Sequence, residues 1–333
     1  ALRGEDRRAV HLRPGRAAAL VSLATALAIA ACSREAVAPE TSATSAPETA
    51  PPAAGDTCPR FSSGERVGKV ADPGLAEISG LAASRTDAGV LWAQEDSGSP
   101  ADLVAIRPDG TLVRTFHLTG VSARDWEDVA VGPGPERSVA YVYLADIGDN
   151  LDDQRAFHVV RVREPSVDSS TGAKATDLRG AVTLTGRYPD GSHNAETLLT
   201  DPLTGDLFVV TKSDKGRSGV YRWPAPQREE ATTTLEAAGS IDVGSLDGAI
   251  DVRVTAGDIS PDGSMILLRT YTNAWVWHRD TAETVVDALA RPPCTAPLAL
   301  EQQGEAIAWD ATGDGYYSTT EGSRPAIMRY SRE

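Results

Sequence analysis

From residue 58 onward the chain alternates short apolar runs with clusters of Gly, Pro, Asp and Asn, and apolar residues almost never recur at helical spacing. Such runs, bounded by turn formers, predict strands joined by tight turns and hence an all-β domain. Five strand starts align under one another: "SGLAAS" from Ser79, "EDVAVG" from Glu127, "ETLLTD" from Glu196, "DISPDG" from Asp258 and "EAIAWD" from Glu305. Each opens on an oxygen-bearing side chain, and four of the five place an apolar residue two positions later (Leu81, Val129, Leu198, Ile307). A turn signal follows each start, then a second strand such as "VLWAQ" or "MILLRT", then a third such as "LVAIRP" or "AIMRYS". Fourth strands are legible at "TLVRTFHL", "AVTLTG" and about "TLEAAGSIDV", but not in the fourth copy.

The starts lie 48, 69, 62 and 47 residues apart, the size of a four-stranded propeller blade. The fifth unit ends after its third strand, so "ERVGKVA" at 65–71 is expected to supply the missing outermost strand and remove two open sheet edges. The expected fold is therefore an all-β β-propeller of five four-stranded blades closed by the N-terminal strand. The long second and third units leave room for a sixth blade, and a β-sandwich with accidental self-similarity is the competing architecture.

First strands of propeller blades line the central channel, so Ser79, Glu127, Glu196, Asp258 and Glu305 are expected to form a ring. Like charges 4 Å apart repel by about 4 kcal/mol even at an effective dielectric of 20. The ring then needs a cation, or some of its members must be protonated. Oxygen-only ligands suit Ca²⁺ better than Zn²⁺. The alternative counter-charges are Lys212 and Arg269, at the ends of second strands. Those ends should also bring Glu95, Asp96, Asp146, Asp149, Asn150, Tyr271 and Glu321 to one face, with His193 just ahead of Glu196. There Lys212 and Arg269 are candidates to hold an anionic substrate and His193 to transfer a proton, although "DGSHN" reads equally well as an exposed loop. No GxSxG elbow and no CxxC spacing occurs, which disfavours a serine hydrolase and a redox or zinc site. Trp92, Trp126, Trp275, Trp277 and Trp309 read as packing between blades.

The N-terminal part has a different pattern. Residues 17–31, "AAALVSLATALAIAA", form an uncharged apolar block behind "RRAVHLRPGR" and end directly before Cys32. This is the layout of a signal peptide, too short for a comfortable membrane span, and "IAAC" resembles the lipobox of bacterial lipoproteins, which implies lipidation of Cys32. Residues 32–57, rich in Ala, Pro, Ser, Thr and Glu, are expected to be a disordered tether, and 58–333 the propeller domain. Residues 1–31 carry five arginines against Glu5 and Asp6, so their removal takes the formal charge from −15 to −18. A surface that acidic argues against nucleic acid as a partner. Export to an oxidising compartment leaves open whether Cys58 and Cys294 pair as a disulfide.

"EISGL" at 77–81, "DWED" at 125–128, "NAETL" at 194–198 and "GEAIAW" at 304–309 resemble the strand-opening motifs of the calcium-activated apyrases, five-bladed propellers with one central calcium. The resemblance implies calcium ligands at Ser79, Glu127, Glu196 and Glu305. The family's fourth-blade ligand is a serine, whereas Asp258 aligns here and Ser260 lies two places later. The family's longer nucleotide-contacting motifs are absent. Over nearly all of 75–330, "ISGL", "EDSG", "DWED", "DIGDN", "GDISPDG", "RTY" and "GEAIA" also resemble a group of secreted bacterial propellers related to the phytase-like and SdiA-regulated-like propellers. Two functions follow as expectations. One is a monomeric lipoprotein, anchored by its N-terminal lipid at the cell surface or in the periplasm, whose calcium-pinned propeller binds a small anionic ligand or a protein. The other is a calcium-dependent hydrolase of phosphoesters or related anions.

Overall fold

The computed structural model describes residues 58–96, 98–167 and 175–333. The leader, the tether and Cys32 lie outside them. Five antiparallel sheets account for nearly all of the regular structure. Blade one comprises Ile78–Ala83, Leu91–Glu95, Asp102–Ile106 and Leu112–Leu118; blade two, Trp126–Pro133, Ala140–Asp146, Phe157–Arg163 and Val182–Arg187. Blade three comprises Ala195–Thr200, Leu207–Thr211, Arg217–Trp223 and Glu236–Asp242; blade four, Val254–Ile259, Met265–Thr270, Ala274–His278 and Cys294–Ala296. Blade five takes Ala306–Trp309, Gly315–Thr319 and Ala326–Ser331 from the C-terminal end of the chain and Glu65–Lys69 from the N-terminal side. The five inner strands touch in cyclic order, and the fifth meets the first, so the chain is a closed five-bladed β-propeller.

Blade number and unit length are reconciled at the sheet edges. Thr176–Leu178, from the second unit, pairs in parallel with the outer strand of blade one, and Thr232–Thr234, from the third, pairs likewise with that of blade two. The extra length of these units covers a neighbour's exposed edge and builds no sixth blade.

The core lies between the blades as five apolar clusters, one for each pair of neighbours. Trp92 and Phe116 of blade one pack with Val131 and Val160 of blade two; Trp275 and Trp277 of blade four pack with Phe208 and Val220 of blade three. At the closure, Phe61, Trp309, Tyr316 and Tyr330 meet Met265 and Leu267 of blade four. Every second strand is almost entirely buried, because both faces of each sheet are covered by another blade. Among the described residues the single α-helix, Val285–Leu289, is short, and no helix is long and apolar enough to cross a membrane.

Polar ties cross the same interfaces. Asp128 accepts the amides of Val129 (2.8 Å) and of Leu198 in the next blade (2.9 Å). Asp258 does the same with Ile259 (2.8 Å) and Trp309 (2.9 Å). Arg279 of blade four forks onto Asp201 at the end of the inner strand of blade three, at 2.8 and 3.1 Å. Arg269, wholly enclosed, donates to Glu301 at 2.7 Å and to the carbonyls of Thr270 (3.1 Å) and Ala306 (3.0 Å). Gly304 makes room for it, since a Cβ there would stand 1.7 Å from the Arg269 guanidinium. The sulfurs of Cys58 and Cys294 are bonded, which ties the N-terminal edge to the short outer strand of blade four across 236 residues of sequence.

Replacing both cysteines by serine is expected to lower the unfolding free energy by about 2–5 kcal/mol in denaturant titrations, because the unfolded chain regains the entropy of a long open loop. Arg269→Met is expected to cost about 3–5 kcal/mol in the same measurement, since it leaves the buried Glu301 carboxylate without its partner.

Candidate functional site

The inner strands carry a recurrent defect at the end from which they start. Pairing with the second strand skips one residue between Ile78 and Gly80, Trp126 and Asp128, Ala195 and Thr197, and Val254 and Ala256. The bulged residues are Ser79, Glu127, Glu196 and Thr255, and in blade five Glu305 stands at the matching place just before Ala306. A bulge re-aims a side chain out of the regular alternation, here toward the axis. The ring is thus built of two hydroxyls and three carboxylates, all from residues that are nearly enclosed.

This register corrects one member of the expected ring. Asp258 lies three residues beyond the bulge and takes the role that Asp128 has one residue beyond its own, with both carboxylate oxygens occupied by backbone amides. It is a tie between blades, and Thr255 takes the axial place. Thr255 Oγ1 donates to the Gly304 carbonyl at 2.9 Å, just as Ser79 Oγ donates to the Glu127 carbonyl at 2.7 Å. Each hydroxyl spends its proton on the next blade and keeps its lone pairs.

The opening carboxylates of "RDWED" have three separate fates. Asp128 staples blade two to blade three, Glu127 enters the channel, and Asp125 stays half-exposed at its mouth. One oxygen each of Asp96, Asp125 and Glu127 lies within 4.8 Å of the others, a grouping able to hold a metal ion. Gly148 of "DIGDN" presses against it, since a Cβ there would be 2.1 Å from Glu127 Oε1 and 2.4 Å from Asp125 Oδ2. Burial, then the charges of Glu196, Asp96 and Asp125, drive the Glu127 carboxyl far above its usual range, with partial relief from Lys212. Glu196 is raised too, by burial first, and its Oε2 is buried without a hydrogen-bond partner among the described residues. Half-buried Glu321, desolvated and facing Glu305, is pushed up to about 8.

Lys212 answers this charge. Its ammonium pairs with Glu196 Oε1 and donates to the Tyr271 hydroxyl at 2.8 Å, and that hydroxyl donates to Glu305 Oε1 at 2.8 Å. One chain of contacts thereby joins the ring members of blades three and five. Burial works against the ammonium, but the Glu196 carboxylate outweighs it and raises the Lys212 pKa. Among the described residues no other cation pairs with a ring carboxylate.

The remaining candidates scatter. Arg269, expected beside Lys212 on the open face, is enclosed behind the ring against Glu301 and cannot reach an anion there. Asp146 accepts the backbone amide of Asp125 in the loop ahead of the inner strand, and Asp149 caps those of Asp153 and Gln154 in its own loop. Glu95 likewise accepts the amides of Ala76 and Glu77. His193 lies in a neighbouring cleft of about 720 Å³ that Lys212 also lines. Its Nε2 is 3.0 Å from Asp190 and 2.9 Å from the Tyr221 hydroxyl, and its ring packs against Tyr188 and Tyr221. The missed residue is Thr255, whose one sequence signal was that the unit beginning at Asp258 alone lacked an apolar residue two places on.

No family model matches the sequence, and no curated protein matches it. Among solved structures, the PQQ-bound aldose sugar dehydrogenase of Streptomyces coelicolor is similar at 13% identity and a TM-score of 0.45, over 83% of this chain and 100% of that one. Similarity at that level leaves the fold assignment resting on this chain's own sheet topology.

Proposed function

We propose that the axial ring holds one Ca²⁺ ion and that the propeller is a non-catalytic binding module, exported and tethered through a lipidated Cys32. The observation that carries the metal part is the charge imbalance at the axis. Glu127, Glu196 and Glu305 converge there, Asp96 and Asp125 stand at the mouth of the channel, and among the described residues Lys212 is the one ammonium that meets the ring. The donor set is oxygen only, with two hydroxyls whose protons point away, as a hard cation of high coordination number requires. Glu196 Oε2 supplies a buried acceptor with no hydrogen-bond donor among the described residues. The tethering part of the proposal rests on the sequence of residues 1–57.

The binding reading is favoured over the hydrolase because the catalytic set does not assemble. Of His193, Lys212 and Arg269, the last is sealed in the protein, and Lys212 is committed to Glu196. His193 remains, but it is held by Asp190 and Tyr221.

Titration of the chelated protein with Ca²⁺ is expected to raise the thermal midpoint in proportion to the logarithm of free Ca²⁺ above Kd, by the equivalent of about 2.7 kcal/mol at a hundredfold excess, with no comparable response to Mg²⁺. Glu196→Ala should abolish the rise. Asp258→Asn should lower the starting midpoint but keep the response, because that carboxylate serves backbone amides. A Ca²⁺ response lost in Asp258→Asn and kept in Glu196→Ala would refute the ring described here.

The raised carboxyls set the pH dependence. Glu127, Glu196 and Glu321 hold protons more tightly in the folded than in the unfolded state, so their contribution to stability is full below the ordinary glutamate pKa of 4.5 and is lost as pH rises, toward about 8 for Glu196 and Glu321 and on toward about 11 for Glu127. Denaturant midpoints of the metal-free protein are expected to fall over this interval, and saturating Ca²⁺, which favours the ionised forms, to reduce the fall.

A further inference from the structure

The cleft that Lys212 shares with the ring has its own chemistry, not used by the metal proposal. It opens on the face where the inner strands begin, between the loops of blades two and three, and its volume of about 720 Å³ is that of a small-molecule site. Its charges are sorted by origin. Asp152, from the loop after the second strand of blade two, and Asp190, from the crossover into blade three, form an acidic flank. Lys215, from the loop after the second strand of blade three, and Arg217, which opens its third strand, together with Arg253 from the crossover into blade four, form a basic one, with Asp214 of the same loop 3.9 Å from Arg253. In a chain of net charge −15, that basic flank is a local reversal of sign.

Both flanks keep unused capacity. Asp152 gives Oδ1 to the Asn194 amide at 3.1 Å, which fixes the carboxylate while Oδ2 takes no bond among the described residues. Arg217 donates Nε to Ser240 at 3.0 Å, which orients the guanidinium and leaves its terminal nitrogens for a ligand. Neither Lys215 nor Arg217 has an ion-pair partner among the described residues. Arg253 is committed to Asp251 and to the face of Tyr271, so it contributes field more than contact. The floor is open at Gly219, which carries no side chain. A Cβ on Gly219 would stand 2.7 Å from the Tyr221 ring, whose hydroxyl holds Asp190 at 2.9 Å.

A simple anion would satisfy one flank and face repulsion from the other, and a simple cation the reverse. Only a ligand with separated opposite charges satisfies both. We propose that this cleft binds short zwitterionic peptides, the terminal ammonium against Asp152 and Asp190 and the terminal carboxylate against Lys215 and Arg217. The assignment gives the binding-module reading a ligand class and rests on that reading, but it does not require the axial metal. Arginine suits the carboxylate end because its planar fork matches a carboxylate in two hydrogen bonds.

The test is isothermal titration of the full chain with trialanine, N-acetyl-trialanine, trialanine amide, glucuronate and inorganic phosphate, with the Ca²⁺ response followed in parallel. Trialanine is expected to bind saturably, and blocking either terminus to weaken it about tenfold, the worth of one good charge-assisted contact. Lys215→Gln combined with Arg217→Gln should cause the same loss, and in that variant amidation should cost nothing more. Asp152→Asn, which keeps an oxygen for the Asn194 amide and leaves Asp190 charged, should reduce the effect of acetylation. The proposal is overturned if trialanine does not bind, if the blocked peptides bind as well as the free one, or if glucuronate or phosphate binds more tightly. Loss of peptide binding with an intact Ca²⁺ response would remove this inference alone. Blocking the ligand's termini needs no variant, so a misfolded mutant cannot mask the result.

Discussion

Three buried glutamates from three different blades cannot all be charged around one axis unless something positive stands among them. Glu127, Glu196 and Glu305 are brought together because the inner strands of a five-bladed propeller start around a single narrow channel, and because the chain bulges at the same place in blade after blade. The rest of the face follows from that crowding. Lys212 is drawn to Glu196, Tyr271 relays the contact to Glu305, and Gly148 is kept bare so that the backbone can close over Glu127.

Closure of the ring depends in turn on the interfaces between blades. Each sheet is too small to bury its own apolar surface, so stability resides in five seams of Trp, Tyr, Val and Leu side chains. Such contacts are non-directional and would tolerate sliding of one blade against the next. The enclosed charges remove that freedom. A carboxylate that accepts one amide from its own strand and one from the neighbour, as Asp128 and Asp258 do, fits a single offset of the two strands. Arg269 and Arg279 act in the same sense, with carboxylate partners that are themselves buried. The acidic residues of the chain therefore divide into those that lock blades together and those that leave the axis short of positive charge.

Much of this was legible in the sequence. The blade repeat showed itself because an inner strand is buried on both faces and its outward turns need Gly, Asp and Pro, so apolar run and turn signal recur together. The N-terminal closure followed from counting strands. What stayed hidden has no side-chain signature. Cys294–Ala296 and the edge strands Thr176–Leu178 and Thr232–Thr234 are three residues long and exist because a neighbouring edge is there to pair with. The bulge in blade four is a property of the backbone, so Asp258 looked like the partner of Glu127 when it stands three residues past the bulge and takes the amide-binding role of Asp128. Arg269 carries a charge usually found at a surface, and nothing short of the fold showed that Glu301 would meet it inside.

Lys212 joins the two sites. Its ammonium sits on Glu196 while its side chain forms part of the wall of the cleft between blades two and three. A divalent ion at the axis would need the same Glu196 carboxylate, and two cations on one carboxylate repel, so occupancy of the ring weakens the hold on Lys212. The cleft holds other acceptors, Asp190, Asp152 and Asp214, all exposed. An ammonium released from the ring would make the cleft more positive and strengthen its hold on a ligand's carboxylate. By reciprocity a bound carboxylate would draw Lys212 away from Glu196 and tighten the ring for its cation by the same factor.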